Sequence, residues 1–175
     1  SNSGGRGVPL GSGTSLGARN SFFGAYSGFR NFNGSDNVAI GNVALRDNSN
    51  GNRNVAIGRS ALLINTISNG NIAIGAFSFE DYNPTGVQLS DNNTIIGTEA
   101  GRNQTFGRGN VYLGGSSGLN MVSGDGNLLL GFEAGLSLSQ GNNNLLFGNG
   151  AGRTVGVSST YNDNIFIGSL SGANI

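Results

Sequence analysis

The chain has 175 residues with 33 Gly, 27 Asn and 2 Pro, no Cys and no His, and its nine Arg balance nine acidic residues to a formal net charge of zero. Without His or Cys, neither a Ser-His-Asp or Cys-His nucleophile nor a thiolate or imidazole zinc site can be assembled, and no disulfide can form. A charged content of 10% gives no electrostatic footprint for nucleic acid or an anionic membrane, and Gly without a three-residue period excludes collagen.

In chain order, one string recurs: Asn, apolar, variable, apolar, Gly. A degenerate copy, Val8-Pro9-Leu10, ends at Gly11, and Asn20-Ser21-Phe22-Phe23 leads to Gly24. Three near-identical copies follow at Asn37-Val38-Ala39-Ile40-Gly41, Asn54-Val55-Ala56-Ile57-Gly58 and Asn71-Ile72-Ala73-Ile74-Gly75. Later copies run from Asn93 to Gly97, Asn110 to Gly114, Asn127 to Gly131, Asn144 to Gly148 and Asn164 to Gly168. The glycines that close them are spaced by 13, 17, 17, 17, 22, 17, 17, 17 and 20 residues. A period this regular marks tandem structural units. The residue three after each glycine is always small, as at Ala44, Ser78 and Ala151, and from Gly97 onward another Gly follows it.

The apolar triplets are too short for helices and often β-branched, so they predict strands. The closing Gly predicts a bend, the small residue a second short strand at a corner, and the Asn/Gly/Ser/Asp-rich remainder a polar loop. One such coil cannot bury its apolar side alone; stacking coils does so. The fold expected is all-β, a parallel β-solenoid or β-roll of about ten short coils. It forms a single repeat domain over 1–175, with a degenerate coil at 1–19 and regular coils at 20–172. Rungs ~4.8 Å apart would make a rod roughly 50 Å long. The repeated Asn would stack into an amide ladder, or would simply tolerate a turn conformation at the start of each strand. No apolar run approaches the ~20 residues of a membrane helix, and no secretory signal is visible.

Alternate strand residues point to opposite faces. The first and third of each triplet, such as Val38 and Ile40, are expected in the coil interior. The middle residue would then point outward: Ala39, Ala56 and Ala73, then Ile95, Tyr112, Leu129, Leu146 and Phe166. The last five would make an apolar stripe that needs a cover, and they are the expected subunit interface; a wider coil enclosing them is the alternative.

The strings DNVAIGNVA (36–44), RNVAIGRSA (53–61) and GNIAIGAFS (70–78) resemble the head repeats of YadA-like trimeric autotransporter adhesins. LLLGFEAG (128–135) and LLFGNGAG (145–152) are similar to repeats in phage-tail and bacterial surface or injection-apparatus fibres. The resemblance implies a left-handed roll, a homotrimer, and an extracellular, cell-surface or virion-fibre location. It also implies a non-catalytic role in adhesion to a cell-surface glycan or protein. A purely structural spacer is the rival reading, and a glycan depolymerase a more distant one.

Two intervals exceed 17 residues, and insertions in solenoids often carry binding. They single out Glu80, Asp81, Tyr82 and Asn83 in one and Tyr161 in the other as candidate ligand contacts, tyrosine being suited to glycan stacking. For catalysis the candidates are Glu99 and Glu133, two coils and about 9.6 Å apart by rung spacing. That lies near the ~6.5–9.5 Å of an inverting glycosidase pair, although chance occupancy of one ladder position explains them more simply. No cofactor, metal, nucleic-acid partner or membrane insertion is expected, and the chain is not expected to be an enzyme.

Overall fold

The computed structural model describes residues 17–80, 90–153 and 160–173. Within them are eleven three-residue strands and no helix: β1 (Ser21–Phe23), β2 (Val38–Ile40), β3 (Val55–Ile57), β4 (Ile72–Ile74), β5 (Thr94–Ile96), β6 (Val111–Leu113), β7 (Leu128–Leu130), β8 (Gln140–Asn142), β9 (Leu145–Phe147), β10 (Thr160–Asn162) and β11 (Ile165–Ile167). Nine of them stack in the order β1-β2-β3-β4-β5-β6-β7-β9-β11 as one parallel sheet. Val38 pairs with Val55 one period on, and the register survives both long coils, with Ile72 against Thr94 and Leu145 against Ile165. The chain is therefore a parallel β-solenoid. The expected coil ending at Gly11 lies outside the described residues.

The closing glycines are required by the stacking itself. Gly41, for example, has φ +133°, and a Cβ on it would lie 2.6 Å from the carbonyl oxygen of Gly58 in the next coil. Any side chain there would hold the rungs apart. The corner that follows is not the second strand expected. It is a run of turns, because the residues two and four after the glycine have left-handed backbones, as at Val43 (φ 52°) and Leu45 (φ 49°). Between them the small residue points inward: Ala44, Ala61, Ser78, Ala100, Ser117, Ala134 and Ala151 are all fully buried. Where it is Ser, the hydroxyl donates to a strand carbonyl of the next coil, Ser78 Oγ to Ile95 O at 3.0 Å.

The asparagines form the amide ladder. Asn54 N–H donates to Asn37 Oδ1 (2.9 Å), and Asn54 Nδ2 donates to Asn37 Oδ1 (3.2 Å) and to Ser68 O (3.0 Å). The backbone bond recurs at every step from Asn20 to Asn164. A second ladder, on the outer edge of the loops, runs the opposite way. There the backbone N–H of Ser35 donates to Asn52 Oδ1, that of Asn52 to Asn69 Oδ1 and that of Asn69 to Asp91 Oδ1. Most buried asparagine amides are thus paired by the adjacent coil, whereas Asn71 Nδ2, both amide atoms of Gln104 and the Tyr112 hydroxyl are buried without a hydrogen-bond partner among the described residues.

The interior is filled by exchange of volume between two positions. In the coils with Ala39, Ala56 and Ala73 at mid-strand, the residue four after the glycine is Leu45, Leu62 or Phe79, and all six are fully buried. Where mid-strand is Phe22, Ile95, Tyr112, Leu129, Leu146 or Phe166, that position is Gly28, Gly101, Gly118, Gly135, Gly152 or Gly172. A Cβ on Gly28 would sit 2.4 Å from the Phe22 ring, and one on Gly152 would sit 2.8 Å from Leu146. One large and one small side chain fill each layer, which keeps the layer close-packed at constant coil width.

Candidate functional site

The mid-strand residues are therefore the core, and the assignment of strand faces made from sequence is reversed. Ile95, Tyr112, Leu129 and Leu146 are enclosed by their own chain, and Phe166 packs against the same core. They do not form an exposed interface. The coil has room for them because glycine opposes each one. Burial also raises the pKa of the Tyr112 phenol far above its ordinary value, with a smaller contribution from the negative charge of Asp125.

The first and third strand residues instead face outward and line one side of the rod. In the nine-stranded sheet all are apolar except Ser21 and Thr94. Phe23, Ile40, Leu113, Phe147 and Ile167 of the third position are exposed, as are Val111, Leu128 and Ile165 of the first. With rungs ~4.8 Å apart, this stripe is about 40 Å long and two side chains wide. Its area is on the order of 400 Å², the scale at which an exposed apolar patch marks an interaction site.

Of the predicted ligand contacts, Asp81, Tyr82 and Asn83 lie outside the described residues. Glu80 is engaged: Arg102 Nε donates to its Oε2 at 2.9 Å while Arg102 Nη1 donates to Glu99 Oε1 at 2.9 Å. The Arg102 guanidinium also lies 4.9 Å from the centroid of the Phe77 ring, and that of Arg59 lies 4.5 Å from it. These contacts brace a corner across three coils. Tyr161 is half-buried and packs against the core, and its carbonyl accepts a bond from Asn144 Nδ2 at 2.7 Å. Glu80 follows β4 and Tyr161, in β10, follows β9, so the two are about four rungs apart and do not share a site. Glu99 and Glu133 are each held by an arginine, the second by Arg153 at 3.1 Å.

Among the described residues no group of His, Cys, Asp and Glu could hold a metal ion, and no helix is long and apolar enough to cross a membrane. No protein-family model, curated protein or solved structure matches the chain.

Proposed function

We propose that the chain is a non-catalytic adhesive segment of an extracellular fibre, at a cell surface or in a virion tail. Three copies pack their outward stripes around a common axis and present their loop edges to a surface glycan or protein. The observation that carries this reading is the stripe, because no solvated face would repeat Val, Ile, Leu and Phe on nine successive rungs. A second copy is its natural cover, since every rung offers the same pattern. The stripe is narrow, only two side chains wide. Convergence of three stripes lets each chain contact two neighbours. The NxAIGxxA strings, similar to those of trimeric adhesin heads, support the same number.

The test has two arms. Sedimentation or light scattering of the isolated chain is expected to give three times its 17.7 kDa mass. A monomer at tens of micromolar would remove the assembly. Binding to cells or to a glycan array is then expected; a trimer silent in both is a load-bearing spacer, which the continuous inter-coil ladders would also suit.

A further inference from the structure

We infer that the C-terminal half carries a carbohydrate-binding trough along its loop edge, an inference that names the ligand class of the adhesive reading and rests on it. Phe106, Ser123 and Gln140 lie one above another, joined as parallel bridges, and β8 continues this ladder to β10. Beside them Asp125 and Asn142 stack on the outer amide ladder. Between the two rows is an open cleft of about 220 Å³, floored by glycines where side chains would crowd the next coil. This is smaller than a drug-sized pocket of ~300–1,000 Å³ and suits one sugar unit at a time.

Asn142 is engaged on both amide atoms, but three other groups facing the cleft keep hydrogen-bonding capacity. Asp125 uses Oδ1 to accept the backbone N–H of Arg108 at 2.7 Å, which fixes the carboxylate and leaves Oδ2 without a partner among the described residues. Among the described residues no hydrogen bond occupies the side-chain amide of Gln140 or the Ser123 hydroxyl. The corresponding row in the N-terminal half is closed, because Asn33 Nδ2 donates to Asn50 Oδ1 and Asn52 Nδ2 donates to Asn50 O. A half-buried aromatic ring beside a carboxylate oxygen, an amide and a hydroxyl matches the C–H face and hydroxyl rim of a pyranose. These groups lie on successive rungs along the rod axis, so the ligand is a linear glycan lying parallel to the fibre.

The test is titration of the full chain with neutral cello-, chito-, malto- and galacto-oligosaccharides, read by saturation-transfer NMR and calorimetry. The variants are Phe106→Ala, Gln140→Ala and Asp125→Asn, the last keeping an acceptor for Arg108. At least one series is expected to bind, with affinity reduced tenfold or more by Phe106→Ala and several-fold by the other two, at unchanged circular dichroism and melting temperature. Binding that all three variants retain places the glycan elsewhere and overturns the trough. Cell binding without oligosaccharide binding also overturns it, while leaving the adhesive reading intact. Loss of both removes the two together.

Discussion

Gly118 lies against the ring of Tyr112 so closely that a Cβ on the glycine would stand 2.9 Å from the ring carbon Cε2. Its backbone is left-handed, with φ +60°, but Leu62 holds the equivalent corner at φ 48°. Occupied space excludes a side chain at Gly118 more than backbone conformation does. Gly118→Leu is expected to destabilise the fold by more than the ~1–3 kcal/mol of ordinary overpacking. Tyr112→Ala alone is expected to cost about 3–5 kcal/mol through the cavity it leaves. The double variant rebuilds the Ala56 and Leu62 arrangement of an N-terminal coil. It is expected to recover at least ~1 kcal/mol over the sum of the singles in a denaturant double-mutant cycle; strict additivity would refute the exchange.

Asn54→Ala would strand the buried N–H of Asn71, which bonds Asn54 Oδ1, and would remove one of the two amide donors to the Ser68 carbonyl, which keeps Asn65 Nδ2. A loss of about 1–3 kcal/mol in urea unfolding is expected. Asn54→Asp keeps the acceptor but faces its carboxylate toward Asn37 Oδ1 and the Ser68 carbonyl. It is expected to be at least as damaging at pH 7 and to regain stability as acid protonates the new carboxyl.

Charge on the outward stripe separates assembly from folding. Ile40→Glu with Leu113→Glu replaces two exposed side chains that belong to no core layer. Circular dichroism at high dilution is expected to be unchanged, while sedimentation shifts from the assembly toward the 17.7 kDa chain. Retention of the wild-type mass would show that the stripe is not the contact.

How much of this was legible in the sequence follows from the same residues. The 17-residue period and the strands were readable, because each has a strong local signature in Gly and Asn placement, whereas the Asn ladder was one of two readings that the repeated Asn left open. The direction of the strand faces was not. A triplet such as Leu128-Leu129-Leu130 is apolar on both sides, so its alternation carries no sign. The missing signal lay six residues further on, where Gly135 opposes Leu129 and Leu62 opposes Ala56. The trough was also missed, since Phe106, Ser123 and Gln140 look like unrelated loop residues until the coils are stacked. Glu80 and Tyr161 were selected for falling in long coils, yet one is taken up by Arg102 and the other by the core.

Alkaline titration offers a further check. The Tyr112 phenol has its pKa raised from an ordinary 10.0, first by burial. A raised folded-state pKa stabilises the fold below the unfolded value and loses that stabilisation as pH climbs above it. One of the four tyrosines is therefore expected to release its proton, seen as phenolate absorbance, only together with loss of β-structure. Its ionisation in the intact fold would contradict the enclosed position.

The inner amide ladder has a consequence for the ends of the rod. Each asparagine oxygen receives from the coil that follows, and each asparagine N–H gives to the coil before. Among the described residues the sense never reverses, from Asn20 accepting the Asn37 N–H to Asn164 donating its N–H to Asn144. The molecule is vectorial: two rods abutting tip to tip would set like against like, whereas head-to-tail contact continues the pattern, and growth from a formed coil is templated with a defined sense.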